Sequence, residues 1–287
     1  MKRDGKERKS SMWGDVFKRL MRNKLSIVGL SIIAVLVFSA VFCDLLAPYD
    51  YYTMELDNKF QPPNAQHWFG TDEFGRDQFS RIMLGARLTL STALLTIFFS
   101  TLIGGTIGIV AAYFKKFDNL IMRVMDVFLA IPNMILAIAL AAVLGIGMFN
   151  LVLAITLTNI PAMSRLVRSA VLTVKEEQYI EAAVSTGAST MRIILRYIIP
   201  NCLSAIIVQA TLMLASVIIV ASVLSYLGLG IPMPQPEWGA MLSAGKQYLR
   251  DYWFLTVIPG SFIVLTVFSF NILGDGLRDA MDPKMRN

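Results

Sequence analysis

Residues Glu176 to Asn201 read EEQYIEAAVSTGASTMRIILRYIIPN, the longest charged, helix-favouring stretch between apolar runs of membrane length. Gln178 to Ala183 favours helix, and Gly187 supplies a residue able to end it in a left-handed conformation. Ser189 or Thr190 can cap a second helix, in which Ile193, Ile194, Tyr197 and Ile198 share one face. Pro200 closes that unit or opens the next helix, where its missing N–H costs little. The pattern predicts a short helix, a tight turn and an amphipathic helix feeding an apolar span. Residue chemistry alone leaves a surface-lying connector open.

Composition supports the membrane setting. Of 287 residues, 55% are apolar and only 16% charged, with a mean hydropathy of +0.60. The net charge of +6 does not point to nucleic acid, because the basic residues flank apolar runs rather than forming a soluble face. Cys43 and Cys202 lie at the ends of apolar runs and read as small buried side chains. His67 is the single histidine, which excludes a His-rich metal site.

Outward from the quoted stretch, the apolar pattern predicts an all-α integral membrane chain of six spans. They are Leu25–Cys43, Leu88–Phe114, Val127–Phe149, Leu151–Ser164, Cys202–Ile231 and Tyr252–Leu273. The fourth is short, and its helix is expected to continue through Arg165–Val174. The first span follows a basic segment, as a signal peptide would, but its length fits an uncleaved anchor. Residues Met12 to Met21 can form an amphipathic helix on the membrane surface.

Twenty of the 26 Lys and Arg fall on one side of this layout and six on the other. That predicts both termini and the Glu181 stretch inside. The expected organisation is a 1–24 inner segment, a 25–87 first span with outer loop, an 88–273 five-helix core holding the 176–201 elbow, and a 274–287 inner tail.

Smaller signals refine the spans. Ser100, Gly104, Gly108 and Ala112 form a small-residue stripe that lets helices approach closely, as do Ala137, Ala141 and Gly145. Pro132, Pro161 and Pro259 are expected to interrupt helices. In the outer loop, Asp72, Glu73, Arg76 and Asp77 form a dense charge cluster suited to ion pairs. Trp238 suits a lipid–water interface, and Arg123 can pair with Asp126 one turn away.

No Asp, Glu, Lys or Arg falls within the six apolar cores, whereas a gradient-coupled carrier usually holds an ionisable group there. The polar alternatives are hydroxyls and amides, of which Thr156, Asn159, Gln209 and Ser216 are candidates for a solute path. Each can equally bond to a helix carbonyl or a neighbouring span. No phosphate-binding G-x-x-x-x-G-K-[ST] loop exists, and no hydrolytic triad can be built on one histidine. The energy for any transport must therefore come from another chain.

The spacing of Glu181, Ala182, Ala183, Gly187 and Pro200 resembles the cytoplasmic "EAA" loop of ABC importer permeases. The family usually has Ile and Leu three and one positions before the Pro; here Tyr197 and Ile199 stand there. FGTDEFGRDQFSRIMLGAR (69–87), YLGLGIPMPQPEWGAMLSAG (226–245) and PGSFIVLTVFSFNILGDGLRDAMDP (259–283) are similar to the dipeptide/oligopeptide/nickel permease branch, C-type subunit. The resemblance implies a type I importer permease fold and a coupling helix at Glu181, Ala182, Ala183, Gly187, Ala188 and Arg192. Glu181, about one and a half turns before Gly187, is expected to help hold the loop's shape through a hydrogen bond or ion pair.

It also implies a B-type permease partner, two cytoplasmic ATPases that bind ATP and Mg, an extracytoplasmic solute-binding protein and a bacterial cell membrane. No cofactor is expected in this chain itself. A stand-alone carrier or channel, or a membrane scaffold, is the rival reading.

Overall fold

A computed structural model describes residues 12–281. The charges at Lys2, Arg3, Lys6, Arg8, Lys9, Lys284 and Arg286, and the outer parts of the two terminal segments, lie outside the described residues. Helix α1 (Met12–Leu20) is the amphipathic segment the sequence predicts. Helix α2 (Lys24–Val41) is capped by the Asn23 side chain, which accepts from the Leu25 and Ser26 amides. A short α3 (Cys43–Leu46) leads into an irregular loop that ends at α4 (Gln78–Tyr113). At 36 residues α4 is about 54 Å long, so it overshoots a hydrocarbon core of about 30 Å.

Helices α5 (Lys115–Leu129) and α6 (Asn133–Leu144) replace the third predicted span. They bend by 88° across Ala130–Pro132. Proline explains the break: Pro132 has no N–H to carry the ladder across, and it biases Ile131 away from helix. Helix α7 (Met148–Lys175) continues well past the fourth span, as expected, and it also runs through Pro161. Helices α8 (Gln178–Ser185) and α9 (Thr190–Ile193) form the elbow, followed by a wide turn over Ile194–Ile198 and then α10 (Ile199–Tyr226).

A buried α11 (Trp238–Gly245) and the long α12 (Phe254–Met281) complete the chain, and α12 likewise absorbs Pro259 without a break. Of the three prolines expected to interrupt helices, only Pro132 does. The fifth span ends at Tyr226 rather than Ile231. Among the described residues, five single helices, or six spans if the bent pair counts as one, are long and apolar enough to cross a membrane.

The core is built on α4 and α7, which run parallel. Gly104 lies against the Ile160 carbonyl and Gly108 against that of Ser164; a Cβ would sit 2.9 and 2.5 Å from those oxygens. The constant offset places the Ser100–Gly104–Gly108–Ala112 stripe along one groove of α7, and all four residues are buried. Absent side chains let the backbones approach within van der Waals range. Ala137 and Ala141 are fully buried, as the second small-residue pattern predicts.

Ion pairs attach α5 to α7: Arg168 grips Asp118 with two bonds of 2.6 Å, and Arg165 pairs with Asp126. Asp126 is therefore engaged across helices, not with Arg123 as its spacing suggests. Cys43 and Cys202 are free and buried, matching their reading as apolar filler.

Candidate functional site

At one end of the bundle the elbow is shaped by its backbone. Helix α8 stops at Gly187, which has φ +79°. The Gly187 amide donates to the Val184 carbonyl at 2.9 Å and the Ala188 amide to that of Ala183 at 3.0 Å. This paired closure satisfies two carbonyls that would otherwise be left open at the helix end, and it requires a residue at ease with positive φ. A Cβ on Gly187 would meet nothing within 4 Å, so the glycine is needed for conformation and not for space inside this chain.

The Ser189 hydroxyl oxygen, rather than Thr190, caps α9 by accepting from the Arg192 amide at 3.4 Å. Ile193 and Ile198 are buried while Ile194 and Tyr197 are half-buried, so the predicted shared face exists. The wide turn after it has a local cause. Pro200 cannot donate to the Arg196 carbonyl; the Ile199 amide instead reaches back five residues to Ile194. The Asn201 side-chain amide donates to the Tyr197 carbonyl at 2.6 Å.

Within α8, Ile180 and Ala183 face the body and are buried, whereas Glu181, Ala182 and Val184 face outward. Glu181 makes no hydrogen bond or ion pair among the described residues, contrary to the expectation that it braces the loop. Its position on the outward face, opposite Ile180 and Ala183, explains why. Arg192 is also exposed, next to Met191 at 64% and, one turn on, Leu195 at 58% exposure. The elbow thus presents an acid, a base and bare apolar side chains that this chain does not cover.

The four candidate path residues separate into two pairs. Thr156 and Asn159 are buried in α7; Asn159 donates to the Ile155 carbonyl at 2.8 Å, while the Thr156 hydroxyl has no partner among the described residues. Gln209 and Ser216 lie two turns apart on one side of α10, half-buried and exposed respectively. Gln209 lines two adjoining clefts of about 420 and 600 Å³ near the elbow end.

The opposite end is a closed cap. Asp72 accepts from Arg76 Nε at 2.6 Å and from the Phe74 and Arg76 amides, with Arg81 at 3.6 Å. Asp77 accepts from the Ser80 amide and hydroxyl, capping α4, and meets His67 Nδ1 at 2.9 Å. The expected charge cluster is therefore a set of ion pairs, and it extends to Arg81 and His67, which spacing did not single out. Burial pushes the Glu73 carboxyl above its ordinary range.

Trp238 is fully buried, not interfacial: its indole N–H donates to the Ile82 carbonyl at 3.1 Å. Gly85 makes room for it, since a Cβ there would lie 2.4 Å from the Pro236 carbonyl and 2.6 Å from the indole. Nothing local in the sequence singles out Glu237. It is buried and caps α11 by accepting from the Gly239 and Ala240 amides at 3.0 Å each.

Comparisons with known proteins find relatives over nearly the whole chain. Residues 104–287 match the family model "Binding-protein-dependent transport system inner membrane component". Residues 11–63 match the "N-terminal TM domain of oligopeptide transport permease C". The Dipeptide transport system permease protein DppC of Alkalihalophilus pseudofirmus is 45% identical over 278 residues, covering 96% of this chain and 91% of that protein. The Glutathione transport system permease protein GsiD of Escherichia coli O6:K15:H31 is 42% identical, with the same 96% and 91% coverage.

In fold, the chain is similar to a solved chain of the inward-facing MetNI methionine ABC transporter. The TM-score is 0.59 at 21% identity, over 71% of this chain and 98% of that one. By sequence over nearly its whole length, this chain belongs to the family of binding-protein-dependent transport system inner membrane components.

Proposed function

We propose that this chain is the C-type permease subunit of an ATP-driven importer of peptides or related small solutes. It spans a bacterial cell membrane six times, with both termini and the elbow inside; the bent α5–α6 pair makes the third crossing. The cap then lies outside, where a solute-binding protein delivers its cargo. A B-type permease completes the path, and two cytoplasmic ATPases supply the ATP and Mg chemistry that this chain has no motif for. Nucleic acid has no part in it.

The elbow carries this reading. A turn fixed by backbone geometry presents Glu181, Ala182 and Arg192 to a partner while Ala183, Gly187 and Ala188 close the helix end. Closure of the ATPases would push that unit as a lever and switch the path between inward- and outward-open. The relatives' names, dipeptide and glutathione permeases, support a peptide-like solute. Thr156, Asn159, Gln209 and Ser216 are the candidates for its polar path.

Single cysteines test the topology. Those replacing Asn64 and Gln235 should react with a membrane-impermeant thiol reagent in intact cells or spheroplasts. Those replacing Ser10 and Ser185 should react only after lysis. Reversed labelling would overturn the orientation and with it the coupling role of the elbow.

A further inference from the structure

The two clefts that share Gln209 have walls of unequal chemistry. One is bounded by α7, α10 and α12 and the other by α5, α7 and α10, and they have Leu166, Ala205 and Gln209 in common. Helices α10 and α12 run antiparallel along the first. Gly274 fits against Leu212, where a Cβ would come within 2.5 Å of the leucine side chain. One turn further along α12, Arg278 therefore stands opposite Val208, and all three of Leu212, Val208 and Arg278 line the cleft. Asp279 lies about 100° around the helix from Arg278 and Asp275 about 60°, on the same side of α12, yet neither pairs with Arg278 and neither lines either cleft.

The charge that remains has one sign. Among the described residues, no carboxylate lines either cleft. Arg165, in the second cleft, is neutralised by Asp126, whereas Arg278 forms no ion pair among the described residues. Gln209 makes no side-chain hydrogen bond among the described residues, so its amide faces the clefts with a free donor. A cation and an amide donor along a wall that is otherwise apolar but for the hydroxyls of Ser204 and Ser169 and the paired Arg165 suit a carboxylate attached to a variable apolar body. Apolar walls also focus the field of the single cation along the cleft.

We propose that these adjoining clefts are the inner vestibule of the solute path, and that Arg278 with Gln209 recognises the carboxylate of the departing solute. A peptide's free C-terminus has that chemistry. The contact is weak by construction, with one cation at an open mouth, which lets a solute be guided without being held. This inference rests on the permease reading and on its orientation, but it can fail separately.

The test uses the assembled complex in inside-out vesicles, with Gln209→Cys in this chain. Reaction rates with an anionic (ethylsulfonate) and a cationic (ethyltrimethylammonium) methanethiosulfonate are read by mass spectrometry on the peptide holding position 209. Cys43 and Cys202 are buried and fall outside that readout or serve as internal controls. The expected result is labelling of Gln209→Cys with a preference for the anionic reagent. Adding Arg278→Gln should lower the anionic-to-cationic rate ratio about fourfold, the effect of one charge roughly a helix diameter away across water.

Lys116→Cys, exposed at the start of α5 and away from the elbow, serves as the reference. If it reacts and Gln209→Cys does not, the vestibule is wrong and the permease reading stands. If Gln209→Cys reacts with no charge preference, or with one that Arg278→Gln leaves unchanged, carboxylate recognition by Arg278 is wrong. Failure of Lys116→Cys itself to react would overturn the orientation and this inference together.

Discussion

The cap and the elbow are both dense in charge, yet they are built on opposite principles. In the cap, Asp72, Arg76, Arg81, Asp77 and His67 are nearly all removed from solvent and are held by one another and by backbone groups. In the elbow, Glu181 and Arg192 lie in solvent, and the structure is held by two backbone hydrogen bonds behind Gly187. The cap's ion pairs close within one chain, with only Arg76 Nη2 and Gln78 Oε1 left without a hydrogen-bond partner among the described residues. The elbow's outward face has partners only if another protein supplies them. A part whose charges are paired internally can serve as the fixed frame against which a lightly anchored part moves.

The largest expected effect breaks the cap. Arg76→Met removes a cation that is 2% exposed and leaves Asp72 with its two backbone amides and, as its only cation, Arg81, 3.6 Å away. Stripping one partner from a buried pair costs about 3 kcal/mol or more. The thermal midpoint of the extracted protein and its abundance in the membrane should both fall. The matching change in the elbow, Arg192→Met, should alter stability by no more than about 0.5 kcal/mol, because the residue is exposed. Equal losses at the two positions would show that the contrast between cap and elbow is not real.

An intermediate effect separates conformation from contact. Gly187→Val forces a β-branched residue to positive φ, at a cost of about 1–2 kcal/mol. Beyond its immediate chain neighbours, no described atom lies within 4 Å of the added Cβ, so insertion and assembly should stay near normal. Uptake should collapse, because the turn that aims α8 is distorted and the new side chain projects from the docking face. Gly187→Asn tolerates the left-handed region better and should retain much more uptake. Transport at the wild-type rate by Gly187→Val, with its ATPases still bound, would return this stretch to a mere connector.

The elbow and the α4–α7 groove were legible in the sequence because their signals are local. Glycine at a helix end and small residues every fourth position state their consequence within a few residues. The misreadings share a different character. Trp238 is buried because Gly85, 153 positions away, leaves room beside Ile82. Asp126 pairs with Arg165 because α5 folds back along α7. Glu237 looks like a solvent-facing loop acid until α11 is seen to tuck between α10 and α12.

Prolines show the same limit. Pro132, Pro161 and Pro259 look alike in sequence, but only the first lies where helix packing does not carry the chain straight on. The clefts along Gln209 were legible only in part. Gln209 was found from its polarity in an apolar span, but Arg278, some 70 residues later, joins it only through the antiparallel packing of α10 and α12.

The smallest expected change in stability is at Glu181, where the comparison can be sharpened most. Its carboxylate sits in the first turn of α8, where the helix dipole favours a negative charge by about 0.3–1 kcal/mol. Alanine has the higher helix propensity and recovers a few tenths of that. With no other interaction among the described residues to lose, Glu181→Ala should leave the thermal midpoint and membrane abundance nearly unchanged. Any loss of uptake must then come from outside the chain, from a partner that reads the carboxylate. The expected result is partial loss of uptake, milder than for Gly187→Val, with weaker co-purification of the ATPases and reduced binding-protein-stimulated ATP hydrolysis. Glu181→Gln keeps the shape and removes the charge, so a defect as large as that of alanine would assign the effect to charge. A variant that loses stability along with uptake would show that Glu181 braces the elbow from within, and would erase the distinction between the two ends of the molecule.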